Sequence, residues 1–405
     1  MQQRSDEAVD GAVTGCRSGT GSTPDVPFTY LDHAATTPMH PAAVEAMTPF
    51  FSTAFANPSG SLRMAGAAGR VGEEWRDSVA SCLGVRPGEV VFTGCGTESD
   101  NAVVAGLVDG VAVCSAAEHH AVLHPVERRS GRVIGTDRHG RIDLDQLHDS
   151  LDADVRLVSV MTVNNEVGSV TDLAAVAAIV RERAPAAVLH TDAVQAPCSL
   201  DVRSIAPLVD AMSFSAHKFG GPKGVGILTI RDGVRLEPLL AGGGQERDRR
   251  SGTHNVAGIV AAEAALTVTD RTRDAEVARL ERLRDRLVDG LTGAVDGVHE
   301  TVPRSVKVPS SAHVCIEAVE SEALLYLLDR ANVFASAASA CASGAMDPSH
   351  VLAAMGVPRS LAAGALRLTL GSTTTQHDVD RAVDVIAAAV ERLRSVTSHA
   401  TGRVP

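Results

Sequence analysis

The residues best suited to chemistry in this 405-residue chain lie in residues 210–228, DAMSFSAHKFGGPKGVGIL. A short apolar segment (Ala211, Met212, Phe214) leads into Ser215, His217 and Lys218, and four glycines follow at 220, 221, 224 and 226. A lysine at the end of a strand, followed by backbone without side chains, can be held over a flat, phosphorylated cofactor. Packing there depresses the pKa of the amine and leaves it free to form an imine. A lone His-Lys in a Gly-rich turn would read better as a surface feature, so the weight rests on what accompanies it.

Four other stretches follow segments that read as buried strands. Residues 89–93 run into Gly94-Cys95-Gly96-Thr97-Glu98-Ser99-Asp100-Asn101 and then an apolar helix over 102–108. A strand, small residues and a helix N-terminus in succession make an anion site, because free backbone N–H groups and the helix dipole point at it. Residues 111–114 lead to Glu118-His119-His120, residues 156–162 to Asn164-Asn165-Glu166, and residues 187–191 to Asp192-Ala193-Val194-Gln195. Strands of four to seven apolar residues alternate with helical segments such as 65–83 and 172–183. That pattern predicts an α/β fold with a mostly parallel sheet and helices on both faces. In such sheets ligands sit beyond the carboxyl ends of the strands, so Thr97, His119, Asn165, Asp192, Gln195, His217 and Lys218 describe one pocket.

That pocket suits a pyridine aldehyde phosphate. Asp192 would pair with a protonated ring nitrogen and turn the ring into an electron sink, and His119 would stack on it. Asn165 and Gln195 would hydrogen-bond the ring oxygen. Thr97, the amides of Gly96 and Thr97, Ser215 and His217 would hold the phosphate, while Lys218 would form the imine and shuttle protons. Each residue alone is equally well explained as a cap, a turn or a core polar group; their shared position is what favours function.

The remaining elements frame this pocket. Residues 29–47 read as an extended piece, a Thr-Thr-Pro turn and a helix opened by Pro41, and 57–60 as a turn. Residues 239–255 form a Gly- and Arg-rich loop too polar to be buried without a ligand or partner. An amphipathic helix over 275–291 opens a smaller α+β domain with strands at 311–317 and 367–370 and a closing helix at 378–393. The expected organisation is a disordered tail (1–27), an N-terminal segment packing with the small domain (28–45), a large cofactor-binding domain (46–274), a small C-terminal domain (275–396) and a tail (397–405).

Composition narrows the partners. A net charge of −12 argues against DNA or an anionic membrane, and no apolar run approaches the ~18–20 residues that span a bilayer. The N-terminus has no apolar core of a secretory signal. Seven scattered cysteines without a C-x-x-C pair predict neither a disulfide framework nor a structural metal, and fit a reducing cytoplasm.

LDHAATTP, FTGCGTESDN, EHHAVL, VNNEVG, HTDAVQ, SFSAHKFGGPKG, RRSGT and SAASACASG occur in the order seen in group I cysteine desulfurases of the class V aminotransferase family, which the chain resembles from about residue 30 to 394. The resemblance implies a fold-type I homodimer with pyridoxal phosphate on Lys218. Thr97, Ser215 and His217 would grip the phosphate, and Thr253 would reach the phosphate of the other subunit. Arg367 would take the carboxylate of L-cysteine as a bidentate partner, with Asn165 also in contact with the substrate. Cys341 would attack the sulfur as a thiolate, leaving alanine and a persulfide, with His119 handling the proton. The sulfur would pass to an iron–sulfur scaffold or a sulfur carrier, and Cys341 could transiently contact a nascent cluster. The chain departs from the family at Ala337, Ala338 and Ala342 around Cys341, at Arg63, and at Gly371-Ser372. A selenocysteine lyase, an aminotransferase of the same fold and a non-catalytic sulfur-carrier scaffold are the competing readings.

Overall fold

The apolar runs of the first two hundred residues become strands covered on both sides. In the computed structural model, which describes residues 27–60, 74–337 and 349–401, β1 is Thr29–Tyr30 and is followed by helix α1 (Pro41–Met47) and a helix over 74–83 (α2). Strands β2 (Val90–Thr93), β3 (Val111–Ser115), β4 (Arg132–Ile134), β5 (Val155–Ser159), β6 (Val188–Asp192), β7 (Ala211–Ser215) and β8 (Gly226–Ile230) form one sheet in the order β2-β8-β7-β6-β5-β3-β4. Strands β7, β6, β5, β3 and β4 pair in parallel, whereas β8 runs antiparallel to both β7 and β2. This is the expected α/β architecture with a mostly parallel sheet. Gly226 admits β8 to its place: a Cβ there would stand 2.3 Å from Thr93 Oγ1 and 2.5 Å from the backbone of Cys95.

Helices cover both faces. Val103 and Val104 of α3 (Gly96–Ala105) cluster with Val122, Leu123 and Val126 of α4 (His120–Arg128) on one side. Helix α5 is Leu144–Ser150, and α6 (Leu173–Arg183), capped by Asp172, buries Leu173, Val176 and Val180 in the larger core on the other side. Helix α3 starts at Gly96, six residues before the expected 102.

A second core surrounds the antiparallel sheet of β9 (Val298–Glu300), β10 (Ser311–Ile316) and β12 (Ala365–Thr369). Helices α8 (Ser321–Arg330), α9 (His350–Ala354), α10 (Arg359–Ala362) and α11 (Gln376–Thr401) accompany it, and β11 (Val333–Phe334) pairs with β1. Leu31 lies in this second core while Ala43 lies in the first, so the N-terminal segment crosses between them.

The helix expected at 275–291 is the latter part of a 39-residue helix, α7 (Val256–Ala294). Its Ile259, Ala262 and Leu266 belong to the first core, and Leu280, Leu287 and Leu291 to the second. One continuous rod, about 58 Å long at 1.5 Å per residue, thus joins the two cores, and position 274 falls inside it. Among the described residues no helix is long and apolar enough to cross a membrane. Cys341, Arg63 and the first part of the helix expected at 65–83 lie outside the described residues.

Candidate active site

Strand β7 ends at Ser215, and a single 3-10 turn, Ala216–Lys218, delivers the lysine. Lys218 Nζ donates to the carbonyls of Ala34 (2.5 Å) and Ala35 (2.8 Å), and Gln195 Nε2 donates to the same Ala34 oxygen at 2.9 Å. His217 Nδ1 lies 3.1 Å from Thr36 Oγ1, so the LDHAATTP segment closes over both residues. Burial, aided by the charges of Lys218 and Lys223, lowers the His217 pKa to about 4.

Asp192 is the last residue of the neighbouring strand β6. It is buried, and its Oδ1 accepts the Val194 N–H at 2.9 Å. Burial raises its pKa to about 6, opposed by that N–H and by the charge of Lys218.

The first turn of α3 lies against these strand ends. A Cβ on Gly96 would stand 2.9 Å from Val194 Cγ2 and 3.2 Å from Ser215 Cβ. The amides of Gly96 and Thr97 fall outside the helix's own hydrogen-bond ladder, and Thr97 is exposed beside them. The Ser215 hydroxyl, buried and without a partner among the described residues, completes the cradle. An orphaned buried hydroxyl next to free helix N-terminal amides has the chemistry of an anion seat.

His119 caps α4, its Nδ1 accepting the Ala121 N–H at 3.1 Å, which places the proton of the neutral ring on Nε2. The residue is exposed at the surface of the fold. Desolvation there, with the charge of Lys218 and the neighbouring His120, His350 and His124, lowers its pKa to about 4.

Asn165 and Gln195 line a cavity of about 330 Å³ with Lys218, His33 and Thr369. Arg367, on β12, reaches this region from the second core. Its Nη1 donates to the Asn165 carbonyl at 3.0 Å and its Nη2 to Asp32 Oδ1 at 2.7 Å. The guanidinium expected to await a substrate carboxylate is therefore already paired inside the protein. Asp32 and the carbonyls of Ala34 and Ala35 were not among the candidates; their one sequence signal is an acid at the head of a run of small residues.

Thr253 is exposed on the polar 239–255 loop. That loop finds its partner within the chain. Glu246 is buried, accepting both Arg76 N–H groups at 2.8 Å, the Phe92 N–H at 3.0 Å and bonding His254 Nε2 at 2.7 Å, while Arg250 pairs with Glu98 in the first turn of α3 at 2.8 Å. Described residues on either side of positions 338–348 are anchored to other elements. Ser336 exchanges backbone hydrogen bonds with Arg367, and Ser349 bonds Glu166 through its hydroxyl.

A strand-end lysine between a buried aspartate and an anion cradle, on a mostly parallel sheet, defines the class: the chain belongs to the class-V aminotransferase family, whose model matches residues 29–382. Within that family it stands among the cysteine desulfurases. It is 43% identical over 392 residues to the IscS-like cysteine desulfurase of Mycobacterium tuberculosis, covering 92% of this chain and 99% of that protein. It is 38% identical over 382 residues to cysteine desulfurase IscS of Dictyoglomus turgidum, covering 91% and 96%. A solved NifS-like protein superposes with a TM-score of 0.84 at 35% identity, over 90% of this chain and 100% of that one.

Proposed function

We infer that the chain is a cysteine desulfurase that converts L-cysteine to L-alanine and carries the released sulfur as a persulfide on Cys341. The observation that supports it most is the placement of Lys218 directly after β7 with Asp192 at the end of the adjoining strand and the unpartnered Ser215 hydroxyl beside it. These residues fit pyridoxal phosphate. Ser215, His217, Thr97 and the amides of Gly96 and Thr97 would hold its phosphate, Asp192 its ring nitrogen, and Gln195 and Asn165 its ring oxygen. Bound there, the cofactor supplies an electron sink for the substrate's α-carbon.

The protein's own groups do the rest. Arg367 binds the substrate carboxylate as a planar fork, and Lys218 moves the proton between nitrogen and carbon positions. His119, neutral with its proton on Nε2, exchanges a proton with the reacting thiol. The Cys341 thiolate attacks the substrate sulfur; the carbon–sulfur bond breaks, its electron pair stays with the carbon fragment that becomes alanine, and the sulfur leaves on Cys341. An iron–sulfur scaffold or a sulfur-carrier protein then takes it up. The working form is a cytoplasmic homodimer in which Thr253 reaches the partner's phosphate.

The test is to incubate the purified protein with pyridoxal phosphate and cysteine. The reading requires equimolar alanine and one reducible extra sulfur mapped to Cys341, both lost in Lys218→Ala. A Cys341→Ala protein that still makes sulfide at the full rate would point to a lyase or aminotransferase of the same fold.

A further inference from the structure

Strands with helices on both faces should be apolar on both, yet the β5–β7 face turned to α3 carries a polar cluster. His190 lies two residues before Asp192 on β6 and so shares its face. Its Nδ1 is 2.8 Å from Ser159 Oγ on β5, its Nε2 2.9 Å from Ser213 Oγ on β7 and 3.7 Å from Asp100 Oδ1 on α3. Ser159, His190 and Ser213 are fully buried and Asp100 is 1% exposed. Asp100 Oδ1 takes no hydrogen bond among the described residues. The desulfurase chemistry uses none of these side chains.

The charges facing this cluster decide what it does. Three carboxyls meet there: Asp100 from α3, Asp192 from β6 and Glu118 from the turn before α4. Burial raises all three, and the charge of Asp192 raises Asp100 and Glu118 further, with Cys95 adding to Asp100. Buried carboxylates close together cannot all ionise. Asp192 has the most support, from the Val194 N–H at 2.9 Å and the charge of Lys218. Glu118 has the Met161 N–H at 2.8 Å on one oxygen, and its other oxygen has no partner among the described residues. Asp100 has a hydroxyl from Ser213 and an imidazole that burial keeps neutral.

We propose that Asp100 and His190 are positioning residues for Asp192: as a neutral acid and a neutral imidazole they brace the end of β6 from behind, leaving Asp192 as the one carboxylate ionised toward the cofactor's ring nitrogen. The proposal rests on the pyridoxal phosphate reading of the site. A braced, ionised Asp192 keeps the ring nitrogen protonated, and a protonated ring nitrogen withdraws electrons from the end of the cofactor attached to Lys218.

The experiment follows the visible absorbance of the holoenzyme's Lys218-bound cofactor as pH is varied. Asp100→Asn, which mimics the neutral acid, leaves the midpoint where the unaltered protein has it. Asp100→Ala and His190→Gln move it upward by about one pH unit, the scale on which one nearby charge acts. Ser159→Ala, which trims only the far end of the cluster, moves it less and in the same direction, and carries the test if His190→Gln does not fold. Unchanged midpoints in Asp100→Ala and Ser159→Ala overturn the proposal, as does an Asp100→Asn shift as large as that of Asp100→Ala. An unaltered protein that never develops the absorbance overturns the cofactor reading instead.

Discussion

Arg367 Nη2 lies 2.7 Å from Asp32 Oδ1, joining β12 to the N-terminal segment across 335 positions of sequence. Little of either side chain meets solvent, 7% for Arg367 and 20% for Asp32. A substrate carboxylate bound by this guanidinium therefore competes with a carboxylate already in place. Asp32→Asn is expected to lower the KM for cysteine several-fold. Asp32→Ala is expected to cost about 3 kcal/mol of stability, because it strands a largely buried cation. Arg367→Ala should raise KM by at least about tenfold, the loss of one charge-assisted contact. Steady-state kinetics and urea unfolding check all three, and a KM that rises in Asp32→Asn would make Asp32 an aligner of Arg367 rather than its competitor.

Glu246, Arg247 and Asp248 all adopt positive φ (50°, 57° and 63°), a conformation that L-residues with side chains occupy at a cost. What offsets it is the burial of Glu246 on Arg76, the Phe92 amide and His254. Those partners, acting against burial, lower its pKa to about 2. The carboxylate thus adds stability that is complete above its unfolded value near 4.5 and is lost as pH falls toward 2. Glu246→Ala leaves Arg76 unmatched and should cost about 3 kcal/mol at neutral pH, measured as a shift in urea midpoint. It should also free the loop that carries Thr253, seen as faster proteolysis between residues 239 and 255.

The strands were legible because burial on both faces writes them as unbroken apolar runs, and their carboxyl ends followed from that because a parallel sheet places them along one edge. What stayed hidden was hidden for physical reasons. The start of α3 reads as a turn because Gly96, Thr97, Ser99 and Asp100 are poor helix formers; the helix forms through packing of its first turn on Val194 and Ser215. The first turns of α7, up to Leu266, sit in the larger core, where consecutive buried residues blur the amphipathic period. Glu246 and Asp32 find their arginines 170 and 335 positions away, and no local pattern announces such a pair. The loop at 239–255 stays largely exposed, and only Glu246 and Ser251 within it are buried.

Ser349 caps α9, accepting the Val351 and Leu352 N–H groups at 3.1 and 3.2 Å while bonding Glu166. Glu166 is buried, with its pKa raised by that burial. One hydroxyl thus ties residues after position 348 to the VNNEVG loop of the candidate active site. Ser349→Ala removes a cap and a partner of a buried carboxyl, and should cost about 2 kcal/mol. Ser349→Thr should restore most of it. Urea unfolding gives the stability, and single-turnover persulfide formation should slow in the alanine variant with the KM for cysteine unchanged.

His119 has its pKa lowered to about 4, chiefly by desolvation. A histidine depressed on folding contributes stability that is complete above its unfolded value near 6.5 and is lost as pH falls from there to 4. Its chemistry follows the same sign: the ring is neutral, with Nε2–H available, throughout the neutral range. With His119 in the role proposed above, the acid limb of kcat should fall near pH 4 instead of near 6.5. His119→Gln should lower kcat by about 10²–10⁴-fold and remove that limb from the pH profile.

Asp100 gives a prediction that needs no cofactor. Its carboxyl is raised well above 3.8 by burial and by Asp192, so the folded protein holds a proton there that the unfolded chain has released. Stability from this group is complete below about 3.8 and declines as pH rises toward the folded value, by about 1.4 kcal/mol per pH unit for one proton. Asparagine at this position has no proton to lose. The unfolding free energy of Asp100→Asn, plotted against pH from 3.8 upward, should run flatter than that of the unaltered protein by up to that slope of one proton. Parallel curves for the two proteins would mean that Asp100 is ionised in the fold, and that the carboxyl cluster divides its charge differently.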